Sequence, residues 1–198
     1  MVPYGGLADI NLKPGETIII APATGSFGRA AVKVALAMGA RVIALGRNIE
    51  ALNTLASSHE RIESVQITGD AQADTKSLQA FGSVDAYFDI SPAEAASSTH
   101  FRSCIMALRV GGQASFMGGL AGKGVELPIA ALVRRDLQLR GKWMYSRENV
   151  HELIKMIEIG VLKLGGQKVE RFALEEWEKG FDAAAGYSGA DGAAIIVP

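Results

Sequence analysis

Apolar residues fall along this chain at two alternating spacings. Short segments that read as strands, some wholly apolar and some mixed with polar residues, occupy positions 18–20, 41–45, 61–67, 84–90, 113–117 and 137–143. Between them, apolar residues recur every three or four positions, as on one face of a helix. Ile18, Ile19 and Ile20 are apolar without alternation, the pattern of a strand buried on both faces. From Phe27 the spacing becomes helical through Ala30, Ala31, Val34 and Met38, and it ends near Gly39. Asn48 and Asp70 are placed to cap helices running to about Ser57 and Gln79. Residues 94–108 read as a helix ended by Gly111 and Gly112, and residues 128–134 as a short helix with Pro128 in its first turn. Ser146 is placed to cap a helix with Val150, Leu153, Ile154 and Ile157 on one face and Gly160 beyond its end. Residues 1–14 read as irregular, broken by Pro3, Gly5, Gly6 and Pro14.

The C-terminal stretch changes character. Residues 168–172 read as a strand, Leu174, Trp177, Phe181 and Ala184 mark one helix face, and residues 193–197 form a final strand. Strands and helices alternating at this spacing predict an α/β fold. The expected arrangement is a doubly wound parallel sheet of about six strands with helices on both faces, followed by a short strand–helix–strand segment. All of residues 1–198 read as a single domain.

The turn after the first strand carries the chemistry. Gly25, Ser26, Phe27 and Gly28 stand where the chain must turn sharply and begin a helix. A helix start leaves backbone N–H groups unpaired and carries partial positive charge, so it suits an anion. Gly25 would let the backbone approach a pyrophosphate, Gly28 would allow close helix–strand contact, and Ser26 would add a hydroxyl donor. A glycine pair alone also fits an ordinary strand–helix turn. The second strand runs into Gly46, Arg47 and Asn48, about 20 residues further on, where a dinucleotide fold meets the adenosine ribose. No acid stands there to bond the ribose hydroxyls. Room from Gly46, charge from Arg47 and a hydrogen bond from Asn48 suit a 2′-phosphate, hence NADP(H) rather than NAD. The alternative is that Arg47 is a solvated surface residue.

Composition narrows the classes. Of 198 residues, 48% are hydrophobic and 21% charged, as in an ordinary globular domain. A formal net charge of -1 argues against a general nucleic-acid binder. Residues 1–14 lack the pattern of a secretory signal, and no apolar run approaches the ~20 residues of a membrane span. The expectation is a cytoplasmic protein with no membrane partner. Cys104 is the single cysteine, which rules out an intramolecular disulfide or a cysteine-rich zinc site. His100 and Cys104 share a helix face at i and i+4, but no third ligand is evident, and they read as a half-exposed histidine and a buried cysteine. His59 and His151 read as surface residues. None of Tyr4, Tyr87, Tyr145 or Tyr187 has a lysine four residues on, as a short-chain dehydrogenase would require, and no Gly-x-Ser-x-Gly elbow is present.

Several stretches together resemble the cofactor-binding domain of the medium-chain dehydrogenase/reductase superfamily, most closely its zinc-type alcohol dehydrogenase-like members. These are residues 12–17, 23–32, 39–44, 135–145 and 172–177. One departure is Pro22, where the family often has glycine. The resemblance implies a Rossmann domain without the family's N-terminal GroES-like catalytic domain, which holds the substrate pocket and any zinc. It implies that Gly25, Ser26, Phe27 and Gly28 hold the pyrophosphate and that Gly46, Arg47 and Asn48 take the 2′-phosphate. Thr68 and Asp70 would lie near the adenine. Ser91, Pro92, Met117, Gly118 and Gly119 would line the nicotinamide side, and Lys142, Trp143 and Met144 the substrate entrance. No catalytic residue is assigned, and no zinc is expected in this chain.

Two functions follow as expectations. One is the NADP(H)-binding part of an oxidoreductase that transfers hydride between nicotinamide and an alcohol, carbonyl or enone. The other is a truncated or repurposed domain that binds a nucleotide or small ligand without redox turnover. In the resembled family, nucleotide domains often pair through a sheet edge. The candidate edge here lies between Lys123 and Gly141, with Val125, Leu127, Leu137 and Leu139 as its apolar contacts, and a homodimer is expected.

Overall fold

The computed structural model describes residues 1–119, 124–163, 165, 168–187 and 192–198. Six strands form one parallel sheet in the order β3-β2-β1-β4-β5-β6. They are β1 (Thr17–Ala21), β2 (Arg41–Gly46), β3 (Ile62–Gln66), β4 (Val84–Asp89), β5 (Leu108–Phe116) and β6 (Gln138–Gly141). The order reverses between β1 and β4, which makes the crevice beyond their carboxyl ends the natural ligand position.

Pleat alternation assigns the two sheet faces. Ile18 and Ile20 of β1, Val42 and Ala44 of β2, and Ala86 and Phe88 of β4 belong to one core. Residues of three helices complete it: α1 (Val2–Asp9), α2 (Ser26–Ala37) and α7 (Arg147–Glu158). Leu52 of α3 (Ile49–Ser57) joins the same layer. Ile19, Ile43 and Tyr87 point the other way, into a core with Leu78 of α4 (Ala71–Gln79) and Cys104 and Ile105 of α5 (His100–Ala107). Helices therefore cover both faces, as the unalternating strand pattern requires. A short α6 (Ile129–Arg135) precedes β6. The C-terminal segment is a separate two-stranded parallel sheet, β7 (Lys168–Ala173) with β8 (Gly192–Val197), and α8 (Trp177–Gly186) lies between them in sequence.

Four expectations need correction. The first 14 residues are not irregular, since Val2–Asp9 is helical. Pro3 lies in the first turn, where its missing N–H costs nothing. Gly5 and Gly6 serve packing: a Cβ at Gly5 would stand 2.6 Å from the Met144 carbonyl oxygen, and one at Gly6 2.5 Å from the Phe88 ring. The expected helix over 94–108 is broken into a 3-10 turn, Ala93–Ala95, and α5, and Leu108 already belongs to β5. Gly111 and Gly112 lie inside β5, where the β4–β5 register shifts and Gly111 takes φ +74°. On α2 the buried positions are Gly28, Ala31, Val32, Val34 and Ala35, so Phe27 is turned out to solvent. Leu174, Trp177 and Phe181 are likewise exposed, and in α8 it is Gly180 that is buried, against Phe172 and Ile196.

Candidate functional site

Every residue expected at the cofactor site lies at or beyond the carboxyl end of one of the six strands. At the end of β1, the start of α2 has no side-chain cap, so its first N–H groups are left for a ligand or water. The two glycines here differ in cause. A Cβ on Gly28 would overlap the Pro22 carbonyl oxygen, so the fold itself requires glycine. A Cβ on Gly25 would meet nothing, and its φ of -74° suits any residue. The fold does not need Gly25 to be small, and room for a ligand is the physical use that remains.

At the end of β2, the Asn48 side-chain oxygen caps α3 by accepting the Ala51 N–H at 3.0 Å. Its amide NH2 remains to donate outward. Arg47 is exposed, and its carbonyl accepts from the Gln66 side chain at 3.0 Å. Gly46 is buried, and an added Cβ would make only ordinary contacts at 3.5 Å with Thr24 and Leu52.

Beyond β3 the side chains are committed to the protein. The Thr68 hydroxyl donates to Asp74 at 2.6 Å. The Asp70 carboxylate caps α4 by accepting the N–H groups of Gln72 and Ala73 at 2.8 and 3.1 Å. These N–H groups, that of Ala73 foremost, hold the Asp70 carboxyl below its ordinary range. Contact from this corner to an adenine would therefore come from its backbone or surface shape more than from these two polar side chains.

The ends of β4, β5 and β6 enclose a cavity of about 310 Å³. Its lining includes Ile90, Ser91 and Pro92 after β4 and the adjoining Met117, Gly118 and Gly119 after β5. Lys142, Trp143 and Met144 lie across, and Val2 and Phe27 complete the lining. Nine of the expected site residues thus meet in one cavity. The Gly46–Asn48 and Thr68–Asp70 groups lie outside it, beyond β2 and β3. Sequence reasoning missed Val2, since it gave the N-terminus no element, and Ile90. Lys142 donates to Asp9 at 3.1 Å, which ties the end of α1 to the cavity rim. Met144 takes a left-handed backbone conformation, φ +56°, with its carbonyl against Gly5. Trp143 is 86% exposed.

Beneath the cavity lies a buried polar cluster that the pattern of the sequence did not reveal. Asp89, fully buried at the end of β4, accepts from Tyr87 Oη at 2.8 Å, Ser91 Oγ at 2.8 Å and Ser91 N at 3.1 Å. His100 Nε2 lies 3.2 Å from the same carboxylate. His100 is 2% exposed rather than half-exposed as expected. Burial pushes the Tyr87 phenol and the Cys104 thiol up, and the Asp89 charge adds to both. Cys104 is thus an inert buried thiol. Among the described residues no group of three or more His, Cys, Asp or Glu is arranged to hold a metal. The two soft ligands nearest each other, His100 and Cys104, are both buried and already partnered, so these residues do not fit a zinc site.

Comparison with known proteins agrees with this architecture. The chain is 25% identical over 178 residues to alcohol dehydrogenase 1 of Neurospora crassa, which covers 87% of this chain and 48% of that protein. It is 23% identical over 180 residues to acryloyl-coenzyme A reductase of Metallosphaera sedula, covering 90% of this chain and 50% of that protein. The chain therefore spans about half the length of the curated relatives it matches. Among solved structures, the quinone oxidoreductase of Thermus thermophilus, determined with and without NADPH, superposes with a TM-score of 0.69 at 25% identity. It covers 95% of this chain and 60% of that one. The family model for zinc-binding dehydrogenases matches residues 27–158, more than half of the chain. With its six-stranded doubly wound sheet and its strand-end cavity, the chain belongs to the zinc-binding dehydrogenase family and is its nicotinamide-dinucleotide-binding part.

Proposed function

We propose that this chain binds NADP(H) across the carboxyl ends of its sheet and serves an alcohol dehydrogenase-like oxidoreductase. The observation that carries the reading is the placement of all six strand-end groups on one rim, with an uncapped α2 start at the switch point and a cavity beside it. In this reading the N–H groups of Ser26, Phe27 and Gly28 receive the pyrophosphate, and the open face of Gly25 lets it approach. Arg47 neutralises the 2′-phosphate and the Asn48 amide donates to it, with no acid among residues 46–48 at the strand end. The cavity walls orient the nicotinamide ring and exclude water from one face of it. Nicotinamide, when bound, supplies hydride chemistry, and the substrate is an alcohol, carbonyl or enone.

The chain's length relative to its relatives bears on this reading. In this reading the substrate pocket and any proton donor come from outside the half of its relatives' length that this chain spans. No described helix is long and apolar enough to cross a membrane, in keeping with the cytoplasmic setting we infer. The domain pairs with a second copy through the free edge of β6. The expected contacts shift, however. Lys123 lies outside the described residues, and Leu137 and Leu139 pack into the chain's own core. Leu127, Ile129 and Val133, which precede β6 in the chain, are exposed.

Calorimetric titration of the wild type and Arg47→Ala with NADPH and NADH tests the cofactor assignment. A charge-assisted hydrogen bond contributes about 1.5–3 kcal/mol, so Arg47→Ala should weaken NADPH about 10- to 100-fold. NADH affinity should hardly change. An Arg47→Ala chain that binds NADPH as tightly as the wild type removes Arg47 from the site.

A further inference from the structure

The cluster beneath the cavity has a property that core packing does not call for. A buried carboxylate is costly unless fully hydrogen-bonded, and Asp89 is fully buried with no lysine or arginine bonded to it among the described residues. Its four contacts run to Tyr87, His100 and, twice, Ser91. Ser91 is at once a wall of the cavity and a partner of both Asp89 and His100. The adjoining lining after β5 is held by the same groups. Gly119 N donates to Ser91 O at 3.0 Å, and Met117 N to Asp89 O at 2.9 Å. Gly118 sits so close that a Cβ there would lie 2.7 Å from Asp89 Oδ1 and 2.6 Å from Ser91 O. The surface these adjoining segments present to the cavity is therefore set by the position of the Asp89 carboxylate and the Ser91 backbone.

His100, the first residue of α5, fixes that position from behind. Ser91 Oγ spends its proton on Asp89 Oδ2, so toward His100 Nε2 at 3.0 Å it can only accept. The ring must then carry a proton on Nε2, shared with Asp89 Oδ2 at 3.2 Å. Nδ1, 2.7 Å from Ser98 Oγ, accepts that hydroxyl's proton in the neutral ring. The Phe101 ring, with its centroid 4.0 Å away, holds the imidazole plane.

We propose that His100 is a positioning residue for the nicotinamide end of the bound dinucleotide, acting through Asp89 and Ser91 on the walls of the cavity. This rests on the reading that the cavity receives the nicotinamide. His100 touches no ligand itself. It holds Ser91 and Gly118–Gly119, which touch each other, as one fixed surface for the nicotinamide end to lie against, and it has no bearing on the adenosine end beyond β2 and β3.

The test uses two probes and two variants of the 198-residue chain. NADPH engages both ends of the site, whereas 2′,5′-ADP engages only the adenosine end. His100→Gln keeps a donor near the Nε2 position, and His100→Leu has none. His100→Leu should weaken NADPH on the order of 10-fold, leave 2′,5′-ADP affinity unchanged, and have its loss largely reversed in His100→Gln. Equal NADPH affinity in the wild type and His100→Leu, or an equal loss of both probes, overturns the proposal. A wild type that binds neither probe overturns the underlying reading and this proposal with it. A readout independent of any variant is the ring-nitrogen resonances of wild-type His100. They should move on adding NADPH and stay in place on adding 2′,5′-ADP, and no movement with NADPH overturns the proposal even if His100→Leu fails to fold.

Discussion

At the scale of single residues, the glycines separate demands of the fold from demands of a ligand. Gly25 and Gly28 look equivalent in the sequence, as a spaced pair at a turn. Only Gly28 is sterically obligatory, because any side chain there would meet the Pro22 carbonyl. Gly28→Ala should force α2 away from β1, destabilise the chain by about 1–3 kcal/mol as overpacking does, and abolish dinucleotide binding. Gly25→Ala should leave the urea midpoint almost unchanged and weaken binding alone. Denaturation and binding measured on both variants check the pair. A stability loss at Gly25 equal to that at Gly28 would contradict the assignment. Other residue roles were beyond the reach of pattern. The residue types at Asp89 and His100 were visible, but they lie 11 positions apart in sequence. Only the return of α5 against the end of β4 brings them together. Asp70 and Thr68 were located correctly at the end of β3. What the sequence could not show is that capping and Asp74 already occupy their polar atoms.

At the scale of elements, β1 and β2 were legible because unalternating apolar runs leave little choice, and the helices behind Asn48, Asp70 and Ser146 because each has a capping side chain. The first helix was not, since its proline and two glycines carry a loop signature. Tertiary packing overrides that signature: the glycines admit close neighbours, and Tyr4 donates to Glu152 of α7 at 3.0 Å. Burial and the Glu152 carboxylate push the Tyr4 phenol up to about 12. A phenol whose pKa is raised in the folded state favours the protonated form. Its contribution is thus complete below the ordinary value of 10.0 and is lost as pH rises through about 12. Tyr4→Phe should lower stability by about 1 kcal/mol at neutral pH, and the gap to wild type should close above about pH 11 in urea melts. The Asp70 cap behaves in the opposite sense. Its carboxyl is depressed, so its contribution is present above the ordinary value of 3.8 and is lost as pH falls below it. Asp70→Ala should melt earlier than wild type at pH 7 and together with it at pH 2, a comparison that thermal melts followed by circular dichroism provide.

At the scale of the whole molecule, the proposed pairing turns on the β6 edge of the parallel sheet. β6 pairs only with β5 among the described residues. Leu139 of β6 and Leu137 before it pack into the chain's own core, while Leu127, Ile129 and Val133, which precede β6 in the chain, are exposed. An uncovered strand with apolar neighbours tends to find a second copy, and a two-fold pairing satisfies both edges at once. Light scattering at micromolar concentration should return the mass of two chains, and Ile129→Lys should shift it toward one. The mass of a single chain for the wild type would contradict the pairing. A second open region is the C-terminal β7–α8–β8 unit, with Trp177, Phe181 and Ile195 exposed. Its strand–helix–strand order was expected from the sequence, while periodicity reports which face of α8 is apolar and not what stands against it.

The central claim is that this chain, half the length of its relatives, still holds a working dinucleotide site on its strand ends. The most direct measurement is a calorimetric titration of the wild-type chain with NADPH, with NADH as the parallel probe. The account predicts saturable binding of one NADPH per chain, about 10- to 100-fold tighter than NADH, as one charge-assisted contact to the 2′-phosphate would give. Absence of saturable heat with either dinucleotide, at concentrations up to the millimolar range, would contradict it.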